Sequence, residues 1–239
     1  MKQFEPSETL KRLPEQFFAK LVKKAAGLAQ QGYDVINLGQ GNPDQPTPDH
    51  IVEALQKAAA NPRHHKYSPF QGYTFLKEAI ADYYKREFGV GIHPENEVAI
   101  LFGAKAGLVE ISQCLLNEGD TVLMPDPGYP DYWSGVAMAN AIMETMPLRK
   151  ENDFLPDYEK ISDNVLNKAK LLFLNYPNNP TGATASSSFF EETVKLAERH
   201  NFCVVHDFAY GTIGFDGKKP VSYLQTPGAK NTGVEIYSL

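Results

Sequence analysis

The sequence has 239 residues, of which 42% are hydrophobic and 22% charged, a balance typical of a globular protein with a substantial core. Its formal net charge of −6 argues against nucleic acid or an anionic membrane as the main partner. It contains no apolar run long enough to span a membrane and no signal-peptide core. Cys114 and Cys203 lie in apolar runs without metal-ligand or redox spacing, so we expect buried thiols and a cytoplasmic protein.

Residues 1–65 predict two helices joined by a loop rich in glycine and proline. Apolar residues recur at helical spacing over residues 14–31, and a short strand and a loop follow in "DVINLGQGNPDQPTP". The second helix is predicted to have Thr47 as its N-cap and Pro48 as its first residue. We interpret residues 1–65 as an N-terminal arm and part of a small domain.

Residues 66–239 alternate between amphipathic helices and apolar strands. Helices are predicted over residues 72–88, 105–117, 130–140, 157–168 and 186–200. Strands are predicted over residues 97–103, 121–126, 141–147, 170–177, 202–207 and 234–239. Apolar strands separated by helices indicate an α/β fold, a three-layer α/β/α large domain around a mainly parallel sheet. Ligands of such sheets bind beyond the carboxyl ends of the strands.

Two loops at predicted strand ends contain features suited to a flat, phosphorylated ligand. In "LFGAKAGLVEI", Gly103 ends a strand just before a helix, which leaves the Ala104 and Lys105 amides available to an anion. A tight turn that requires glycine would explain the same residues. In "MPDPGYPDYW", prolines make a rigid loop whose aromatic rings could stack on a heterocycle or simply pack together, namely Tyr129, Tyr132 and Trp133.

Two later loops add polar groups to the same predicted edge. In "NYPNNPTGA", Asn179 precedes Pro180 and is kept out of helical geometry, so its amide can point at a ligand or serve only the turn. In "VVHDFAYGTIGF", Asp207 follows an apolar strand, where a carboxylate is costly without a positive partner. Tyr210 lies three residues further on. An aspartate that only caps the next helix is the alternative.

Taken together, the four loops predict pyridoxal phosphate as the cofactor, without a metal. The first loop would bind the phosphate and the second would stack on the ring. The third would supply polar contacts, and the fourth a carboxylate for a protonated ring nitrogen.

These motifs, with "NLGQGNPDQPTP", "YSPFQGYTFLKEAIADYY" and "IYSL", resemble the class I and II aminotransferases, which are fold-type-I pyridoxal-phosphate enzymes. The resemblance covers essentially the whole chain and implies catalytic roles for Asp207 and Tyr210. It implies cofactor contacts from Gly103, Ala104, Lys105, Tyr129, Asn179, Asp207, Tyr210 and Ser238. It places Gly41 beside the substrate carboxylate. Tyr67 would reach the cofactor phosphate of the neighbouring subunit, which implies a homodimer with shared active sites.

The resemblance also concerns the lysine that holds the cofactor covalently. In the family this lysine follows the strand that corresponds to the one ending at Ser238, and Lys105 belongs instead to the phosphate loop. We therefore expect the covalent lysine just after Leu239, together with the remaining C-terminal part, and we expect the 239 residues alone to be inactive. A sequence cut at a modified lysine and a truncated protein would both end in this way.

The implied activity is transfer of an amino group between an amino acid and a 2-oxo acid. The runs "VINLGQGNPDQPTPDHIVEAL" and "CLLNEGDTVLMPDPGYPDYWSGV" look like aminotransferases of methionine salvage, which act on 4-methylthio-2-oxobutanoate. A carbon–sulfur β-lyase of the same fold is the alternative enzyme. A simple cofactor-binding module and a regulator with an aminotransferase-like domain are further alternatives, although residues 1–30 are too short and too weakly basic for a DNA-binding module.

Overall fold

The computed structural model describes residues 4–15, 17–39, 41 and 45–238. The described residues form two compact units. Residues 4–14 and 71–238 make up one, here called the large unit, and those between 15 and 70 make up the small unit.

The helices and strands of the described residues follow in chain order. The helices are α1 (Glu8–Lys11), α2 (Phe17–Gln30), α3 (Asp49–Ala59), α4 (Thr74–Phe88), α5 (Pro94–Glu97), α6 (Ala104–Leu115), α7 (Pro130–Met138), α8 (Asp163–Leu166), α9 (Ser187–His200) and α10 (Ala229–Thr232). The strands are β1 (Thr121–Asp126), β2 (Ile142–Pro147), β3 (Ala169–Asn175), β4 (Cys203–Asp207) and β5 (Gly233–Ile236). Short 3-10 turns cover Pro62–His64, Lys150–Asn152, Tyr158–Lys160 and Tyr223–Gln225.

The five strands form one sheet in the large unit, with the order β2-β1-β3-β4-β5 and parallel pairing throughout. Asn175 pairs with Asp207 between β3 and β4, and Asp207 with Ile236 between β4 and β5. His206 pairs with Glu235. Because successive side chains of a strand point to opposite faces, Asp207 and His206 lie on opposite sides of the sheet.

Helices cover both faces of this sheet. On one face, Leu172 and Val204 pack with Phe190 of α9. On the other, Phe173 and Val205 belong to a second core with residues of α6 and α7, including Leu108, Tyr132 and Val136. Strands buried on both sides need apolar side chains at nearly every position, which explains the apolar runs of the sequence. The predicted three-layer α/β/α arrangement with a parallel sheet is confirmed.

Three strand predictions differ from the structure. Residues 98–103 form no strand and pair with no described strand, and Glu97 instead ends α5. Strand propensity alone does not make a strand, because a strand needs a hydrogen-bonded neighbour. Residues 34–39 are likewise not a strand, and the last strand ends at Ile236. Gln40, 42–44 and Leu239 lie outside the described residues.

Two helix predictions also need correction. The N-cap of α3 is Pro48 rather than Thr47, and no side-chain hydrogen bond caps this helix among the described residues. The helix predicted over residues 157–168 is split into the turn Tyr158–Lys160 and α8. The side chain of Ser162 accepts a hydrogen bond from the Val165 amide, and this cap starts a new helix in place of a continuous one.

The two cysteines differ from each other in exposure. Cys114 is exposed, contrary to expectation, and Cys203 is half-buried. Cys114 lies two residues beyond the buried Ser112 and hence on the other side of α6.

In the described part of the chain, no helix combines the length and the apolar character that crossing a membrane requires.

Candidate functional site

An open pocket lies at the carboxyl edge of the sheet in the large unit. Its lining residues come from the ends of strands and from the loops that follow them: Ala104, Lys105, Leu108, Tyr129, Asn175, Asn179, Asp207, Ala209, Tyr210 and Ser238. The cofactor residues predicted within the large unit all line this pocket except Gly103, which is the N-cap of α6. The structure therefore brings together residues separated by more than a hundred positions in the sequence.

Asp207 lies at the end of β4 with only 5% of its surface exposed. The Tyr132 hydroxyl donates to Asp207 Oδ2 over 2.7 Å, and the Ala209 amide donates to Oδ1 over 3.3 Å. Burial raises the pKa of Asp207, while these two hydrogen bonds oppose that rise. A carboxylate can accept about four hydrogen bonds, so Asp207 retains acceptor capacity for a cationic N–H group in the pocket.

Tyr132, the side-chain donor to Asp207, lies in the core beneath the pocket. Its side chain is fully buried, and its ring stacks on Phe173 with centroids 5.0 Å apart. Burial raises the pKa of Tyr132 well above its ordinary value, so the phenol stays neutral and can donate. The sequence indicated Tyr132 only as a stacking aromatic and missed its contact with Asp207. The one available signal was its position three residues after Tyr129, in the first turn of α7.

Asn175, which the sequence did not indicate, connects two predicted site residues. It ends β3 and is 3% exposed. Its Nδ2 donates to the Asp207 carbonyl over 2.9 Å, and its Oδ1 accepts from the Asn179 amide over 2.7 Å. Asn175 thus fixes where the Asn179 loop begins. A polar residue at the end of an apolar strand was the signal that could have identified it.

The Asn179 loop is both a turn and part of the pocket. Asn178 Oδ1 accepts hydrogen bonds from the amide and the hydroxyl of Thr181, at 3.1 and 2.8 Å. Asn179 itself lines the pocket and is half-buried. The loop therefore forms a turn and also places Asn179 at the pocket, so the two alternatives left open by the sequence, a structural turn and a ligand contact, are compatible.

The N-terminus of α6 forms one side of the pocket. Gly103 has φ 88° and ψ 150°, a backbone conformation that is essentially restricted to glycine. No side chain caps α6 among the residues that the structure describes, and Ala104 and Lys105 line the pocket. An uncapped helix N-terminus presents amide donors and a partial positive charge, which suit a phosphate.

The Lys105 side chain makes its contacts with α7. Its Nζ lies 3.4 Å from Asp131 Oδ2 and 5.6 Å from the centroid of the Tyr129 ring. The side chain is 68% exposed. This arrangement favours the Lys105 amide, rather than its ammonium group, as the group that serves the pocket.

The remaining predicted residues fall in different places. Tyr129 is the N-cap of α7, Tyr210 lies in the turn after β4, and Ser238 follows β5; all three line the pocket. Tyr67 and Gly41 are exposed residues of the small unit, and their predicted contacts stay predictions. Within the described ranges, no cluster of three or more His, Cys, Asp or Glu residues could hold a metal ion.

Comparison with known proteins points to one family. The family model for aminotransferase class I and II matches residues 33–236. The L-glutamine–4-(methylsulfanyl)-2-oxobutanoate aminotransferase of Bacillus subtilis (strain 168) is 63% identical over 236 residues, which are 99% of this chain and 59% of that protein. Transaminase BacF of the same strain is 56% identical over 98% of this chain and 58% of its own length.

A solved structure gives the same result at the level of the fold. Substrate-bound BacF from Bacillus subtilis matches with a TM-score of 0.93 at 55% identity, over 100% of this chain and 60% of that one. The chain thus spans about three fifths of the relatives it matches. The motif resemblance and the fold-type-I prediction are confirmed, and the chain belongs to the aminotransferase class I and II family.

Proposed function

We propose that the protein is a pyridoxal-phosphate-dependent aminotransferase that moves an amino group between an amino acid and a 2-oxo acid. We further propose 4-methylthio-2-oxobutanoate, which becomes methionine, as one of its 2-oxo acids. Family membership supports the reaction. The name of the relative with 63% identity supports the oxo acid. The relatives named above are aminotransferases, which favours transfer over the β-elimination that the sequence left open.

The observation that carries the proposal is a buried carboxylate with spare acceptor capacity in the same pocket as an uncapped helix N-terminus. Asp207 is suited to a cationic ring nitrogen, and the N-terminus of α6 is suited to a phosphate. Pyridoxal phosphate carries both groups on one flat ring. The residues present therefore fit this cofactor.

Each pocket residue has a role that follows from its chemistry. When bound, pyridoxal phosphate supplies an electron sink for the charge left by the departing α-proton. Asp207 would hold the proton of the ring nitrogen, and Tyr129 would cover the ring. The Ala104 and Lys105 amides, with the Ser238 hydroxyl, would bind the phosphate. Asn179 and Tyr210 would orient the ring through its phenolic oxygen.

Other parts of the proposal extend beyond the pocket. We propose a homodimer in which Tyr67 reaches the cofactor phosphate of the neighbouring subunit, and we place Gly41 beside the substrate carboxylate. The division into residues 1–65 and 66–239, the cytoplasmic location and the covalent lysine beyond Leu239 stay predictions.

The test is an assay of the full-length protein, here called the intact protein, with the residues beyond Leu239 that we expect to supply the covalent lysine. We expect methionine to form from glutamine and 4-methylthio-2-oxobutanoate. Release of pyruvate, ammonia and a thiol from cystathionine, without methionine formation, would instead establish the β-lyase.

Asp207→Asn tests the central contact. We expect kcat to fall about 100- to 1,000-fold, because a neutral amide does not stabilise the protonated ring nitrogen. Asp82→Asn, at an exposed position of α4, is the matched control and should leave kcat unchanged. Full turnover by Asp207→Asn would contradict the proposed role.

A further inference from the structure

A second carboxylate, Glu235, is buried on the face of the sheet opposite to Asp207. Its side chain has no exposed surface. It accepts hydrogen bonds from the Tyr84 hydroxyl at 2.9 Å, the Ser222 hydroxyl at 2.8 Å and the Tyr223 amide at 2.8 Å. His206 Nδ1 lies 2.8 Å from its Oε2. Four groups from three other segments thus meet at this carboxylate.

The partners of His206 determine where its protons lie. Nε2 is 3.1 Å from the carbonyl oxygen of Tyr176, which can only accept, so Nε2 carries a hydrogen. Glu235 already accepts from two hydroxyls and an amide, as an ionised carboxylate does. If Glu235 is ionised, Nδ1 donates as well, and an imidazole that donates from both nitrogens is positively charged.

We propose that His206 and Glu235 form a buried ion pair that positions β4 and β5 and favours the ionised form of Asp207 from the opposite face of the sheet. The pair touches neither the pocket nor a ligand, so His206 is a positioning residue. Its charge state does not depend on the proposed function, whereas the importance of an ionised Asp207 does.

The positioning role follows from what Glu235 connects. It ties β5 to α4 through Tyr84 and to the turn Tyr223–Gln225 through Ser222 and the Tyr223 amide. Ser238, at the pocket, lies three residues beyond Glu235. The pair thus fixes two segments that reach the pocket.

The electrostatic role follows from the neighbours of Asp207. Burial raises the pKa of Asp207, and the adjacent charge of His206 acts in the opposite direction. The titratable groups that face the pair are Tyr84 from α4, Tyr223 from the 3-10 turn and Tyr237 after β5, and burial raises the pKa of all three phenols. The titratable side chains on the pocket side are Lys105, Tyr129, Tyr132 and Tyr210. Among these, Tyr132 contacts Asp207 directly and stays neutral.

The first test needs no variant. Neutron diffraction from crystals of the intact, deuterium-exchanged protein at pH 8 should show deuterium on both Nδ1 and Nε2 of His206 and none on Glu235. A single deuterium on His206, or a deuterium on either oxygen of Glu235, would overturn the ion pair.

The second test follows the Asp207 carboxyl carbon by 13C NMR in the intact, cofactor-free protein. In His206→Gln we expect its titration midpoint to move to higher pH. His200→Gln is the control, since His200 on α9 contacts the neutral side chain of Asn167 at 2.7 Å and should give no shift. An unchanged midpoint in His206→Gln would overturn the electrostatic role.

A third arm covers the case in which His206→Gln does not fold. Glu235→Gln keeps the size of the side chain and removes the negative charge that keeps His206 protonated. We expect the Asp207 midpoint to rise in this variant too, and an unchanged midpoint counts against the proposal. Because these readouts use cofactor-free protein, a failed aminotransferase assay would remove the proposed function and leave the ion pair standing.

Discussion

The two faces of the sheet at β4 and β5 each contain a buried carboxylate, and the two carboxylates differ in their hydrogen-bond partners. Glu235 is surrounded by protein donors, including a histidine with which it forms our proposed ion pair. Asp207 accepts from Tyr132 and from one backbone amide, and its remaining capacity faces the pocket. A buried charge must be compensated in either case. The face that contains Glu235, here called the closed face, compensates the charge with groups of the protein. The face that contains Asp207, here called the open face, leaves part of the compensation to a ligand.

The largest expected effect comes from breaking the closed face. Glu235→Ala leaves His206, Tyr84 and Ser222 without their acceptor. We expect the free energy of unfolding to fall by about 3–5 kcal/mol, because removal of one partner strands a buried charge. Urea denaturation of the intact protein measures this loss.

A matched control for Glu235→Ala lies on the edge strand of the same sheet. Glu144 on β2 is exposed, and Glu144→Ala should change the free energy of unfolding by no more than about 0.5 kcal/mol. Similar losses for the two variants would mean that the closed face has no special role.

A smaller effect is expected on the open face. Tyr132→Phe removes a hydrogen bond to a charged group, so the free energy of unfolding should fall by about 1.5–3 kcal/mol at neutral pH. The Tyr132 hydrogen bond lowers the pKa of Asp207, so its contribution is present while Asp207 is ionised. The loss should therefore shrink as the pH falls through the pKa of Asp207 in the folded state. Urea denaturation at several pH values measures this dependence.

Tyr158→Phe is the control for this pH dependence. Tyr158 is also buried, but its hydroxyl pairs with the neutral hydroxyl of Thr193 at 2.9 Å. Its loss should not vary over the acid range in which Asp207 titrates. If both variants respond to pH in the same way, the contact between Tyr132 and Asp207 is not the cause.

The smallest effect is expected at the rim of the pocket. Lys105→Met keeps the backbone amide and removes an exposed ammonium group that contacts Asp131. We expect less than about 1 kcal/mol of lost stability and less than about a fivefold loss of cofactor affinity. Equilibrium dialysis against pyridoxal phosphate measures the affinity. A loss of several hundredfold would show that the ammonium group, and not the amide, binds the phosphate.

The site could be predicted from the sequence because parallel strands bring their carboxyl ends to one edge. Asp207 and Asn179 each follow an apolar run, so sequence position alone places them at that edge. Residues 98–103 show the limit of this reasoning. Their composition is that of a strand, but strand formation depends on a neighbour that composition does not reveal.

The contacts that tune the site were not predictable in the same way. Tyr132 and Asp207 are 75 positions apart in the sequence, and His206 and Glu235 are 29 apart. Tyr132 meets Asp207 because α7 packs on that face of the sheet, and His206 meets Glu235 because β4 and β5 are neighbours in the strand order. Strand order is a property of the assembled sheet, and the order of residues along the chain does not reveal it.

The pairing of His206 with Glu235 also has a consequence for how the chain folds. A parallel strand displaced by one residue turns all its side chains to the other face. In β5 such a slip would move Glu235 to the side of Asp207, bringing two carboxylates together and leaving His206 with Ile236 or Val234 in its place. Misaligned sheets therefore carry an electrostatic penalty in addition to lost packing, and the native alignment of β5 is selected by charge as well as by shape.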